Sequence, residues 1–139
     1  MSELKGNMSK YLEGKIIDHV LRGTNYTAPS TIYVGLITDS ATGAELEAGT
    51  LTNEVTTYTG NRKAVTWSTK TVVDGATRVV NTNEITFSDM PACTLEYLVL
   101  VDLATGGNIL WWTKMPTKKI VNTGDIVTIQ IATLIVNID

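Results

Sequence analysis

The residues that most limit what this chain can fold into are 95–115. They read Leu-Glu-Tyr-Leu-Val-Leu-Val-Asp-Leu, then Ala-Thr-Gly-Gly-Asn, then Ile-Leu-Trp-Trp-Thr-Lys-Met. Two β-rich arms flank a short segment whose glycines and asparagine tolerate positive φ, which is the pattern of a hairpin. The first arm, 97–103, is almost continuously apolar, as expected of a strand covered on both faces. The second arm carries Trp111 and Trp112 side by side. Neighbours in an extended strand point to opposite faces, so one indole faces the core and the other faces outward. The outward one needs a cover, either from the chain's own loops or from another chain. This hairpin is expected to be the centre of the fold.

The remaining segments must build around it. With 139 residues, the chain is expected to form one domain with a genuine core. Residues 1–8 are polar and unpatterned, an arm that frays unless something ties it down, such as a partner chain or lattice. Residues 9–22 form the one convincing helix, with Ser9 as N-cap and Gly23 as the C-terminal glycine. Leu12, Ile16, Ile17, Val20 and Leu21 make its apolar face, while Tyr11, Lys15, Asp18 and Arg22 lie away from it. Gly14 costs this helix about 1 kcal/mol relative to alanine, so packing across a sheet or over the end of a sandwich is expected to hold it.

From residue 31 onward the pattern is β. Residues 31–38 form a strand with Gly35 marking a bend or close approach. Residues 39–60 are polar and too long for a simple connection, so they read as a functional or partner-ordered loop. Short alternating runs follow at 63–68, 76–80 and 84–87, with Asp74-Gly75 as a type I′ turn. Beyond the hairpin come 120–121, 126–131 and 133–138. The fold class is therefore mainly β, an antiparallel β-sandwich or barrel with one N-terminal α-helix. The layout is an arm over 1–8, a helix over 9–22 and a β-sandwich over 31–139.

Few side chains suggest chemistry. Charged residues are 18% of the chain, the net charge is −3 and the pI is near 5.1, which argues against a nucleic-acid partner. No apolar run approaches a membrane span, and the opening Met-Ser-Glu-Leu-Lys lacks the apolar segment of a secretory signal. Without that signal, the acceptor pattern Asn25-Tyr26-Thr27 has no consequence. Cys93, the single cysteine, reads as a small hydrophobe beside Pro91. His19 is the single histidine and sits near the helix C-terminus, a place for a surface or capping role. Gly106-Gly107 joins two strands and precedes no helix, so it is no phosphate loop. Glu45, Glu47 and Glu54 match no EF-hand spacing and read as a solvated acidic loop. Tyr26, Tyr33, Tyr58, Trp67, Trp111 and Trp112 could form a carbohydrate-stacking surface, although strand aromatics more often belong to a core. No catalytic residue, cofactor or metal site is expected.

The chain resembles, along its whole length, a family of small bacteriophage virion proteins, tail-fibre-like or head-decorating. Residues 9–13 (Ser-Lys-Tyr-Leu-Glu) with Ile16, Ile17, Asp18, His19, Arg22, Gly23 and Thr24 look like the family's opening helix. Residues 26–36 are similar to its first strand. Tyr58, Arg62 and residues 64–67 stand at its Gly-Tyr-x-Arg segment and the following strand, and residues 81–87 follow. The most specific likeness is 101–111, echoed by 121–125 and the closing 133–139 strand. The chain departs from the pattern at Asn61 and in residues 41–57.

That resemblance implies a virion structural component present in many copies and made in the host cytoplasm. The expected role is a capsid decoration (cement) protein on the head surface, a homo-oligomer, first of all a trimer, bound to the major capsid protein. The alternative is a tail fibre or tail-tip protein that adheres to the host. Leu4, Met8, Tyr11, Trp111 and Trp112 are the candidate interface residues, with the N-terminal arm, the helix and the long loop as candidate contacts.

Overall fold

The protein is described from a computed structural model, over residues 4–138. In chain order the elements are β1 (Leu4–Lys5), β2 (Asn7–Met8), α1 (Lys10–Arg22), β3 (Ile32–Thr38), α2 (Gly43–Glu47), β4 (Glu54–Val55) and β5 (Lys63–Val65). They continue with β6 (Thr71–Val73), β7 (Ala76–Val80), β8 (Ile85–Phe87), β9 (Cys93–Val101), β10 (Ile109–Val121), β11 (Val127–Ile129) and β12 (Leu134–Ile138). The fold is mainly β with an N-terminal helix, as the sequence implies.

β9 and β10 lie at the centre of the largest sheet, ordered β2-β10-β9-β3, with β4 and β5 sharing the free edge of β3. A four-stranded sheet, β1-β12-β7-β6, and a two-stranded sheet, β11-β8, complete the set. Pairing is antiparallel except between β1 and β12. Leu95, Leu98 and Leu100 of β9 point into the main core with Ile85, Phe87, Val127, Ile129, Leu134 and Val136 of the two smaller sheets. Tyr97, Val99 and Val101 point the other way, into a second cluster with Ile37, Ala41 and Leu46. β9 is thus buried on both faces, which is why its sequence shows no alternation.

Several elements differ from expectation for identifiable reasons. β10 runs unbroken from Ile109 to Val121, absorbing the separate strand expected at 120–121. Its register against β9 shifts between Lys114, opposite Tyr97, and Lys119, opposite Leu95. The extra residues form a bulge that contains Pro116, a residue a ladder tolerates there. Asp74 (φ 51°) and Gly75 (φ 81°) make the expected turn, but the strand entering it is β6, fully exposed and so without an alternating pattern. Residues 39–60 hold α2 and β4 in place of a plain loop. Part of the arm is tied to its own chain: β1 pairs with β12, and β2 pairs with β10 with Met8 opposite Trp111.

α1 has the expected limits. The Ser9 side chain accepts from the Leu12 amide, and Gly23 adopts φ 71°. Its packing is the correction. Of the apolar face, Leu12 is buried, whereas Ile17, Val20 and Leu21 are 52%, 69% and 76% exposed. Ser9 explains the attachment: its amide donates to Leu110 O at 2.8 Å and its hydroxyl to Ile109 O at 2.6 Å. α1 is pinned to the start of β10 by its first turn, and its last turns carry apolar side chains into solvent. No helix among the described residues is long and apolar enough to cross a membrane.

Candidate functional site

The second face of the central sheet shows how the body is locked. Arg62 donates from Nε to Glu54 Oε2 at 2.6 Å and from Nη2 to Glu54 Oε1 at 2.7 Å, a bidentate pair with both side chains 5% exposed. Arg62 Nη1 donates to Leu103 O (2.8 Å) and Gly106 O (2.6 Å), fastening the β9–β10 turn. Gly35 is the close approach its sequence context suggests. A Cβ there would lie 2.7 Å from Glu54 Oε2 and 2.9 Å from Val99. In the turn itself Gly106 and Gly107 take positive φ, and Asp102 accepts from the amide and side chain of Asn108.

Trp112 is the outward indole, and its cover is the chain's own segment. Thr42 and Glu45 form a capping box that starts α2. α2 then lays Gly43 so close to the Trp112 ring that a Cβ would sit 2.8 Å from it. Glu47 Oε2 accepts from Trp112 Nε1 at 2.6 Å, and the ring packs on Tyr97. This accounts for the three glutamates of the acidic segment: Glu45 caps, Glu47 holds an indole and Glu54 pairs with Arg62. Among the described residues no group of three or more His, Cys, Asp or Glu could hold a metal ion.

Trp111 faces the other way. With Trp67, Ile32, Leu100, Val79 and Val136 it lines an almost wholly apolar groove of about 300 Å³ between the central sheet and the four-stranded sheet. Trp111 Nε1 is buried there without a hydrogen-bond partner. On the side of α1 away from its apolar face, Tyr11, Tyr26, Pro29, Ser30, Asp102 and Leu103 line an open cleft of about 340 Å³. Burial first, then the Tyr11 phenol and the Asp102 carboxylate, raise the pKa of Tyr26 above its ordinary value. His19 Nδ1 accepts from the Tyr26 amide at 3.2 Å, so the histidine shapes this loop.

The sequence-derived interface residues therefore scatter. Leu4 sits opposite Leu134 in β1 and Met8 opposite Trp111 in β2. Tyr11 lines the cleft, Trp111 the groove, and Trp112 lies under α2. Of the six aromatics read as a stacking surface, Tyr26 alone reaches the cleft, and Tyr58 packs edge-on against Phe87 inside the core. Cys93 packs partly buried at the edge of the main core, and burial raises the pKa of its thiol. Sequence reasoning missed the Arg62–Glu54 pair and the role of Asp102. The one available signal in the long segment was the spacing of Thr42 and Glu45.

Residues 7–137 match the family model described as podophage GP4 fiber I protein gp80. The chain belongs to that family. Its members are phage fibre proteins, so the resemblance to small bacteriophage virion proteins holds, and the description names a fibre, not a head decoration. The match runs from β2 to β12 and includes both helices, so the lid over Trp112, the groove and the cleft lie within the family's own fold. A search of curated proteins gave no match.

Proposed function

We propose that this chain is a non-catalytic structural subunit of a phage fibre, held in the virion through the uncovered face of α1. The observation that carries this is the exposure of Ile17, Val20 and Leu21 on a body whose other helix is covered. Contiguous apolar surface left on a well-packed domain is characteristic of contact sites. The engaged state of Arg62, Glu47, Glu54 and His19 fits a scaffold better than a set of reacting groups. Seating on the head as a cement protein beside the major capsid protein would use the same face, but the family description favours the fibre.

The test is incorporation. Leu21→Glu should leave the isolated chain folded and keep it out of assembled particles, as read by immunodetection on purified virions. Incorporation at the wild-type level would overturn the reading. Stripping the chain from particles and heating them separates fibre from cement: a cement protein lowers capsid melting when lost, and a fibre subunit leaves it unchanged.

A second reading, adhesion to host surface glycan, draws on the cleft. Tyr11, Tyr26, Ser30 and Asp102 line one open space, a mix of aromatic and polar residues that suits the apolar ring faces and hydroxyl edges of a sugar. Tyr26→Ala should abolish retention on immobilised host polysaccharide with melting unchanged. Equal retention would remove this reading.

A further inference from the structure

The four-stranded sheet ends at β6 with an open backbone edge, and the residues around that edge complement themselves. We propose that β6 of one copy pairs antiparallel with β6 of a second copy, in a register centred on Val72. Two four-stranded sheets then become one sheet of eight strands. This goes beyond the fibre reading and makes no use of α1.

β6 (Thr71–Val73) pairs with β7 alone and is exposed at every residue. The turn that joins the two strands has two residues, Asp74 (φ 51°) and Gly75 (φ 81°), so Val73 and Ala76 close it as a hydrogen-bonded pair. Such pairs alternate along an antiparallel ladder. Val72, opposite Thr77, is therefore the residue whose N–H and C=O point away from β7. Unpaired backbone groups on an edge form a template for another strand. β1, β2 and β4, at the other ends of the two larger sheets, are only two residues long.

Charge selects which strand fits. With Val72 opposite Val72 of the second copy, Thr71 meets Val73 and Lys70 meets Asp74, each pair occurring twice about a two-fold axis. Among the described residues, neither Lys70 nor Asp74 has an ion-pair partner in its own chain. Sliding the register by two residues puts Lys70 or Asp74 opposite Val72 and loses both charge pairs. A lysine on an edge ordinarily repels incoming strands; here the chain's own Asp74 answers it. The side chains agree. Val72, 71% exposed, ends a cross-strand row with Thr77 and the half-exposed Ile138, and pairing at Val72 covers the apolar end of that row. Three residues a side bury far less than the roughly 800 Å² per partner of a stable free complex. The dimer is therefore weak and forms at high protein concentration.

The experiment is sedimentation of the full-length chain at rising concentration, with cross-linking to fix the register. Wild type should pass reversibly from monomer to dimer. Val72→Pro removes only the outward N–H, which β7 does not use, and should give a folded monomer throughout. Lys70→Glu sets like charges opposite each other twice and should weaken dimerisation roughly 10-fold. Val72→Cys should form a disulfide between copies under mild oxidation, since a hydrogen-bonded pair holds its Cα atoms about 5.5 Å apart. Thr77→Cys, one strand further in, should not. A wild-type chain that stays monomeric would overturn the pairing, as would a dimer unmoved by Val72→Pro and Lys70→Glu, or Thr77→Cys cross-linking as readily as Val72→Cys. If Val72→Pro fails to fold, Lys70→Glu and the two cysteine variants decide. Leu21→Glu should dimerise as wild type does. A dimer lost in Leu21→Glu and kept in Lys70→Glu would move the contact to α1, sinking this pairing and leaving the fibre reading standing.

Discussion

Trp112 and Leu21 are both large apolar side chains pointing away from the main core, and the chain treats them oppositely. Trp112 is roofed by α2, hydrogen-bonded to Glu47 and backed by Tyr97. Leu21 has no roof and is 76% exposed. The segment that covers Trp112 lies directly between β3 and β4, so local sequence supplies the lid. The segment after α1 instead turns back beside Tyr11 and Asp102 and builds a cleft, leaving the helix face bare. The difference separates a region specified for rigidity from one specified for contact.

The largest effect should come from breaking the locked region. Arg62→Ala leaves the Glu54 carboxylate buried without its partner, which typically costs about 3–5 kcal/mol, and it also frees the turn carbonyls of Leu103 and Gly106. Urea unfolding should show this loss. Replacing both partners together, Arg62→Met with Glu54→Leu, should recover much of it. A double variant as unstable as the single one would mean that the turn contacts, not the ion pair, hold this face. Next, Trp112→Phe removes the donor to Glu47 while keeping most of the packing. A loss of about 1.5–3 kcal/mol is expected for a hydrogen bond to a charged group, and a loss below that range would mean that packing alone holds the lid.

How much of this was legible in the sequence follows from the range of each interaction. The β9–β10 hairpin could be read because its signals are local: a glycine pair between β-rich arms. The double burial of β9 could be read because a strand covered on both faces loses its alternation. α1 declared its limits through Ser9 and Gly23, but its apolar stripe said nothing about whether a cover exists, since that depends on a distant surface. Glu54 read as a solvated charge, and its pairing with Arg62 could not be seen, because the two meet only when β4 and β5 both dock on β3. α2 was hidden by its five-residue length, too short for a helical period, with the Thr42–Glu45 spacing as its single trace. The groove needs β3, β7, β9, β10 and β12 together with Trp67, and no one-dimensional pattern brings those together.

Alkaline pH tests the locked region without mutation. Burial first, then the Glu54 carboxylate, push the Tyr58 phenol up to about 12 from its ordinary 10, against the opposing pull of Arg62. The folded chain therefore keeps a proton that the unfolded chain releases near pH 10. Its contribution is fully present below pH 10 and is lost as pH rises toward 12. Tyr58→Phe should remove that part of the alkaline decline, and an unchanged profile would place the loss elsewhere. A smaller effect is expected at the lid's first turn. Thr42→Ala removes the acceptor for the Glu45 amide and should cost about 1 kcal/mol, with greater access of a quencher to Trp112.

The smallest effect on stability should come from the bare helix face, and its smallness is what makes the comparison sharp. Leu21 touches too little of its own chain to stabilise it, so Leu21→Glu should change unfolding free energy by no more than about 0.5 kcal/mol, as for other substitutions at exposed positions. Leu12→Ala on the same helix should cost roughly 2–5 kcal/mol, because Leu12 is buried against the body. One helix would then show two classes of apolar residue, one fastening it to its own domain and one free for another chain. If Leu21→Glu destabilised the isolated chain as much as Leu12→Ala, the face would have an internal cover in solution. The contrast between Trp112 and Leu21 would then disappear, along with the reason to assign α1 to assembly.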